Sequence, residues 1–233
     1  MKVAEVVRRY TSFWNDLMPF CDSFVAEINK TLCESYDRPL RSSDNKSRHA
    51  VVNEVGFDLF HTSVTNGQSV RTVVKDLHIL NLIESTVRQR LARFVVEQPE
   101  CCAPHELADA VQIAIRLGDF FEKRPELRTR VNLAGCGLLP TCEADVFADR
   151  TVYEVKAGDR AFLGSDLRQL LVYCALNSES RQYEINHVGL VNPRRGKFFI
   201  VDLEELCVRV SGASRYDVTT GIINLLSDAG PSQ

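Results

Sequence analysis

Apolar residues in the first half of the chain recur at intervals of three and four, which is the spacing of one buried helix face. The pattern predicts an amphipathic helix over residues 3–34, with Pro19 kinking or dividing it, and another helix over residues 48–63. The polar segment 37–48 is predicted to be a loop or linker between them.

The longest apolar stripe lies at residues 69–98 and predicts a single helix, capped by Ser69 and ending before Pro99. A stripe of this kind packs inside a helical domain or forms the seam of a dimer, and this one is shorter than a typical coiled coil. We therefore expect intramolecular packing, with a homodimer as the alternative.

The periodicity changes after a further helix that runs from Pro104 toward Pro125. Beyond that helix, short alternating segments rich in β-branched residues predict strands at residues 128–134, 143–148, 152–157, 185–191 and 198–202. Further helices are predicted over residues 162–177 and 214–227, and the first of these reads as a crossover between parallel strands. The expected fold class is α/β, an α+β mixed sheet, with a helical N-terminal region at residues 1–100 and a second domain at residues 101–233.

Composition narrows the setting in which the chain works. It has 233 residues, of which 45% are apolar, enough for a continuous core. It shows no apolar signal core and no apolar run of roughly 20 residues, so we expect a cytoplasmic protein without a membrane partner. Its eight cysteines include no C-x-x-C pair, which favours reduced thiols. Because the net charge is −3, contact with nucleic acid would require a local basic patch or a protein partner.

The second and third predicted strands place acidic residues side by side. A turn at Asp149–Arg150 sets Asp145 opposite Glu154, and facing side chains in such a pair lie about 5 Å apart. Lys156 shares the face of Glu154, and Glu143 falls opposite Lys156. Three acids and a lysine are thus predicted to meet among apolar neighbours.

Carboxylates in such a setting are costly to ionise unless they are paired or bind a metal. Mg²⁺ prefers carboxylate oxygens and retains several waters. Asp145 and Glu154 are therefore candidate catalytic residues and metal ligands, and Lys156 is the candidate that orients a water or stabilises charge on a phosphate. The alternative is a surface hairpin in which Lys156 makes ordinary ion pairs.

The helix predicted at residues 162–177 adds three polar groups on one face. Asp166, Gln169 and Tyr173 are spaced three and four apart, so they point the same way. Gln169 is a candidate catalytic residue, and the candidate supporting residues are Tyr173, Asp166 and Glu143. The alternative roles are a solvated glutamine and a core tyrosine.

Asp145, the Glu154-x-Lys156 pair and the Gln169-x-x-x-Tyr173 helix resemble the PD-(D/E)xK nuclease superfamily, with the QxxxY motif of its RecB-type branch. The resemblance implies a restriction-endonuclease-like core and dependence on Mg²⁺ or Mn²⁺. It also implies hydrolysis of nucleic acid, with DNA expected rather than RNA.

The similarity covers residues 104–202, and the chain departs from the family pattern in two respects. Pro140 precedes Asp145 by five residues, so the literal Pro-Asp pair is absent. Some RecB-type members carry an iron–sulfur cluster, but only Cys207 follows the motif helix here. We therefore expect no iron–sulfur cluster.

The resemblance further implies an acid or histidine that joins the site from a helix before the sheet. Glu54, His105 and Glu106 are the candidates, and an ordinary role on a helix surface is the alternative for each.

Basic residues that could contact phosphates lie in three segments. The turn before the last strand holds Arg194, Arg195 and Lys197, the motif helix holds Arg168, and the first strand holds Arg128 and Arg130. A solvated turn is the alternative for the first group.

The expected function is a metal-dependent nuclease, and the restriction and defence enzymes of the superfamily suggest action against foreign DNA. The alternative is a non-catalytic subunit that keeps the fold and assembles a larger nucleic-acid-processing complex. In that case the N-terminal helices would hold a protein partner or a second copy of the chain.

Overall fold

A computed structural model describes residues 1–40, 48–93 and 100–228. Within these ranges the chain forms ten α-helices: α1 (Val3–Arg9), α2 (Thr11–Leu17), α3 (Cys21–Glu27), α4 (His49–Asn66), α5 (Val70–Val73), α6 (Leu77–Ala92), α7 (Pro104–Phe121), α8 (Gly164–Ser180), α9 (Leu203–Ser211) and α10 (Arg215–Asp228). A π-helical turn, Ile28–Leu32, follows α3. Residues 41–47 of the predicted linker and residues 94–99 of the long predicted helix lie outside the described ranges.

The strands of the described chain form one mixed sheet. They are β1 (Glu34–Ser35), β2 (Arg128–Leu133), β3 (Cys142–Ala148), β4 (Thr151–Val155), β5 (His187–Asn192) and β6 (Lys197–Asp202). The order across the sheet is β1-β6-β5-β4-β3-β2, with β4 and β5 parallel and the other neighbouring pairs antiparallel. The predicted crossover is confirmed, because α8 connects the two parallel strands. The mixed α/β class is confirmed as well, while β1 and α9 are additional to the predicted elements.

The prediction of one helix over residues 69–98 is wrong. The chain leaves helical geometry after α5, and α6 begins at a new cap, where the Asp76 carboxylate accepts the backbone N–H groups of His78 and Ile79 at 2.9 and 3.2 Å. An aspartate stabilises a helix start by satisfying N–H groups that have no partner within the helix. Leu77, part of the supposed continuous stripe, is 72% exposed.

The first predicted helix is divided more often than Pro19 alone would require. It breaks at Tyr10, between α1 and α2, and again around Pro19, between α2 and α3. The short helices can therefore turn to follow the surface of the sheet layer. Among the described residues, no helix is both long and apolar enough to cross a membrane.

Helices cover both faces of the sheet and create two apolar clusters. One cluster joins α1–α3 and α8–α10 to the face that carries Val152, and the other joins α4–α7 to the face that carries Tyr153. Neighbouring strand residues point to opposite faces, which explains this division. Both clusters combine residues from before and after residue 100, so the predicted boundary there does not separate two cores.

Candidate functional site

The candidate site lies where β3 and β4 separate. The predicted register holds over three pairs, which end at Val146 and Tyr153. In that register Asp145 would next pair with Glu154, but the paired ladder ends before it. Asp145 Oδ2 accepts a hydrogen bond from the backbone N–H of Val155 at 2.7 Å. The Asp145 side chain thus bridges the gap between the two separating strands.

Strand β2 is distorted at the same level of the sheet. Its register with β3 passes over the pair Arg130–Asp145, and Arg130 has a φ of 54°, in the left-handed region that favours glycine. Val131 packs in the cluster on the α8 face, whereas Thr129 Oγ1 lies 2.6 Å from His61 Nδ1 of α4, on the other face. Side chains two apart in a regular strand share a face. Thr129 and Val131 lie on opposite faces, so the regular alternation of side chains is interrupted at Arg130.

A closed ring of hydrogen bonds lies beside Asp145. Lys156 Nζ donates to Glu154 Oε1 at 2.6 Å and to Gln169 Oε1 at 3.1 Å. Gln169 Nε2 donates to the Tyr173 hydroxyl at 2.7 Å, and this hydroxyl donates to Glu154 Oε2 at 3.1 Å. The structure therefore brings together the two residues predicted on β4 and at its end with the two predicted on the crossover helix.

Electrostatics make this site costly for two free carboxylates. Burial raises the pKa of Asp145 well above its usual value, and repulsion from Glu154 raises it further. Burial also raises the pKa of Glu154, against the opposing attraction of Lys156. Burial disfavours the charged form of Lys156, but attraction from Glu154 and Asp166 outweighs it, so the pKa of Lys156 is raised. A cation bound by the two acids would relieve this conflict.

Asp166 supports the ring from the start of α8. It is buried, and its Oδ2 accepts the backbone N–H of Leu163 at 2.9 Å. Arg160 donates to Asp166 through Nη1 at 2.7 Å and through Nη2 at 2.8 Å, and Lys156 Nζ lies 3.7 Å from Asp166 Oδ1. The sequence analysis did not predict a role for Arg160, because its only signal is its position between β4 and α8, two elements that carry motif residues.

An open cleft of about 350 Å³ runs alongside Asp145 and Lys156. Its walls are formed by Ala50, Asn53, Glu54, Phe57, Leu91, Arg130, Glu143, Val155, Ala157, Gly158 and Arg160. Glu143, a predicted supporting residue, is exposed there, and its Oε1 lies 3.8 Å from Nε of Arg130. The cleft therefore gives a ligand access to Asp145 and Lys156 from solvent.

Of the three N-terminal candidates, the structure brings only Glu54 to the site. Glu54 lines the cleft, and its charge contributes to the raised pKa of Asp145. Glu106 instead holds the start of α7: it accepts the N–H of Ala103 at 2.8 Å and pairs with Arg48, whose hydrogen bond lowers the pKa of Glu106. His105 is exposed and does not line the cleft.

The predicted basic turn does not form a surface patch, and the expected exposure of Arg194 is wrong. Arg194 is 0% exposed. Its guanidinium donates to the carbonyl of Ala157 at 3.0 Å, to Asp109 at 3.2 Å and to Asn53 at 3.1 Å. Because all three guanidinium nitrogens of Arg194 donate to groups inside the fold, Arg194 ties the loop after β4 to α4 and α7.

The other basic candidates are divided among different surroundings. The Arg168 guanidinium lies 5.8 Å from the centre of the Trp14 ring and so faces the N-terminal helices. Arg195 and Lys197 are half-buried at the β5–β6 turn, and neither lines the cleft. Arg130, in contrast, does line it.

The acidic pair offers a limited but suitable set of ligands for a hard cation. In residues 1–40, 48–93 and 100–228, no group of three or more His, Cys, Asp and Glu side chains is placed to hold a metal ion. Asp145 and Glu154 remain as two oxygen-donor side chains. One oxygen of Asp145 accepts the Val155 N–H, and the two oxygens of Glu154 accept one hydrogen bond each, from Lys156 and from Tyr173. Mg²⁺ is usually held by one or two carboxylates together with waters and substrate phosphates, so the pair fits such an ion.

Comparison of the chain with models of known protein families gives no match, and comparison with curated proteins gives no significant relative. The superfamily resemblance therefore remains a prediction that is carried by the residues of the site.

Proposed function

We propose that the chain is a metal-dependent nuclease of the PD-(D/E)xK type, with a restriction-endonuclease-like core, that hydrolyses DNA in the cytoplasm. The main support is the ring that joins Glu154, Lys156, Gln169 and Tyr173 beside Asp145. A surface hairpin with ordinary ion pairs would leave these groups in solvent, but Glu154 is only 4% exposed. Action against foreign DNA is the biological role that the family resemblance suggests.

In this proposal Asp145 and Glu154 hold Mg²⁺ or Mn²⁺. The carbonyl of Val155 is a further candidate ligand, because the N–H and C=O of one strand residue point to the same edge and its N–H points to Asp145. When bound, the ion would make a bound water more acidic and stabilise negative charge on the phosphate. Glu54 lies at the cleft wall, and its negative charge contributes to the raised pKa of Asp145.

Lys156 acts in this scheme as a cation and not as a base. Its raised pKa keeps it protonated at neutral pH. An ammonium group has three N–H donors, and Glu154 and Gln169 accept two of them. The third donor can serve the attacking water or a phosphate oxygen, where fixed positive charge stabilises the transition state. Hydrogen bonds with Gln169 and Tyr173 fix the positions of the Lys156 and Glu154 side chains.

The proposal is tested by digestion of linear, circular and single-stranded DNA and of RNA, with Mg²⁺ and with EDTA. Lys156→Ala is expected to lose activity by about 10²-fold or more, since it removes a fixed charge at the reacting phosphate. Lys75→Ala serves as the matched control, because Lys75 is exposed and lies away from the cleft. Absence of Mg²⁺-dependent cleavage by the wild type, or equal cleavage by Lys156→Ala, would overturn the assignment.

A non-catalytic assembly subunit is the second candidate. It is favoured by two exposed leucines on α6, Leu77 at 72% and Leu82 at 57%, which could contact a protein partner. Such a subunit would co-purify with its partner and show no rise in melting temperature with Mg²⁺. The nuclease should show that rise and lose it in Asp145→Asn, because an ion that binds only the folded state stabilises it.

A further inference from the structure

Arg160 is fixed at the cleft by a buried acid. Asp166 is only 2% exposed, and both of its oxygens accept hydrogen bonds from the two outer nitrogens of Arg160. The Arg160 side chain itself is 44% exposed and lines the cleft together with Asp145 and Lys156. A paired arginine that stays open to solvent beside two candidate catalytic groups is suited to meet a ligand.

The guanidinium retains donors beyond those that Asp166 uses. Nη1 also donates to the carbonyl of Ala161 at 2.9 Å, so the bonds to protein acceptors run through the outer nitrogens. Within the described residues, no hydrogen bond involves Nε. Since a guanidinium carries five N–H donors in a rigid fork, the edge that contains Nε–H can still bind a phosphate.

The loop that carries Arg160 is held from several sides. Asn192 Nδ2 donates to the carbonyl of Gly158 at 2.8 Å, and Arg194 Nε donates to the carbonyl of Ala157 at 3.0 Å. Asn29 both donates to the carbonyl of Phe162 and accepts its N–H, at 2.9 and 3.0 Å. A loop fixed in this way loses little conformational freedom when a ligand binds, which favours affinity.

We propose that Arg160 binds a phosphate of the nucleic-acid backbone and thereby aligns the substrate with Asp145 and Lys156. The inference rests on the proposed function for the identity of the ligand. It assigns a sequence-independent contact, since a phosphate oxygen carries no information about the base. Asp166 is the positioning residue that orients the guanidinium.

The test measures binding to a short fluorescein-labelled single-stranded DNA by anisotropy, in EDTA and over a series of NaCl concentrations. Arg160→Gln is expected to weaken binding about tenfold and to reduce the slope of log K against log salt by about 0.7, the value for one phosphate contact on a single strand. Arg160→Lys should retain most of the slope, because it keeps the charge, but bind more weakly than the wild type.

Arg71→Gln is the matched control. Arg71 Nη2 also donates to both oxygens of one aspartate, Asp119, at 3.0 and 2.8 Å, but this pair lines a different cavity. The slope of log K against log salt for Arg71→Gln should equal that of the wild type. A purely structural role for Arg160 would lower the melting temperature of Arg160→Gln and leave the slope unchanged, and that result would overturn the inference.

The outcomes separate this inference from the proposed nuclease activity. Cleavage by the wild type together with an unchanged slope in Arg160→Gln would retain the nuclease and reject the role of Arg160. Binding with an Arg160-dependent slope but without cleavage would support the contact and reject the nuclease. Absence of DNA binding by the wild type would reject the contact.

Discussion

At the residue scale, the Tyr173 hydroxyl closes the ring of the candidate site. It is buried, accepts from Gln169 and donates to Glu154. Tyr173→Phe should therefore lower the free energy of unfolding by about 1–3 kcal/mol, because it leaves the half-buried amide N–H of Gln169 and a buried carboxylate oxygen of Glu154 without this partner. Urea denaturation measures the change.

Tyr183→Phe is the control for this substitution. The Tyr183 ring packs 5.0 Å from that of Phe147, centre to centre, and its hydroxyl makes no hydrogen bond within the described parts of the chain. The change should be close to neutral. Equal effects of the two substitutions would show that the hydrogen bonds of the Tyr173 hydroxyl contribute nothing to stability.

Arg194 and Arg195 are neighbours in sequence with opposite roles in the fold. Arg194→Ala should destabilise the protein by about 1–3 kcal/mol, because it removes a buried guanidinium and leaves the half-buried carboxylate of Asp109 and the amide oxygen of Asn53 without this partner. Arg195→Ala should change stability by only about 0.5 kcal/mol. Urea unfolding of the two single variants measures the difference, and similar values would contradict the structural role of Arg194.

Residue patterns were informative where local spacing determines which side chains share a face. A spacing of two in a strand and of four in a helix correctly grouped Glu154, Lys156, Gln169 and Tyr173. The Asp145–Val155 hydrogen bond could not be predicted this way, since it depends on where the strands separate. The burial of Arg194 depends on partners from two distant helices and leaves no local pattern.

At the element scale, the end of a helix can be decided by one side chain. The apolar stripe continued past residue 76, but the Asp76 carboxylate favoured a new helix start. Asp76→Ala should lower the free energy of unfolding by about 0.5–2 kcal/mol through loss of this cap. Asp16→Ala, which alters an exposed aspartate in α2, should be nearly neutral, and an equal loss in both would exclude capping as the cause.

The strands were more predictable than the helix ends. The turn at Asp149–Arg150 fixed the register of β3 and β4, because a two-residue connection leaves one choice of pairing. The crossover helix likewise required its two strands to be parallel. Strand β1 has only two residues, too short for an alternating pattern to distinguish it from a loop.

At the scale of the whole molecule, the N-terminal helices belong to both layers of the fold. The α1–α3 segment packs with α8–α10 on one face of the sheet, while α4 packs with α7 on the other. An apolar helix face specifies that a partner is needed but not which partner, so the sequence suggested a separate helical region. The structure shows instead that these helices complete the core around the site.

The same core places an energetic cost on Asp145. Burial and repulsion from the Glu154 carboxylate raise the pKa of Asp145 in the folded state, whereas an aspartate in the unfolded state has a pKa of about 4. Between these two pKa values the folded state binds more protons than the unfolded state, so stability falls as pH rises. Asn removes the charge, and its carbonyl oxygen can still accept the Val155 N–H, so Asp145→Asn should be more stable than the wild type at neutral pH without metal.

Urea unfolding in EDTA between about pH 4 and about pH 8 measures this effect. The wild type should lose stability relative to Asp145→Asn as the pH rises through this range, and the difference between the two proteins should be largest at the upper end. Added Mg²⁺ should recover stability in the wild type alone, since the variant lacks a ligand charge. If Asp145→Asn were the less stable protein at about pH 8 in EDTA, the carboxylate would be stabilising the fold and would not be held at a cost for binding a cation.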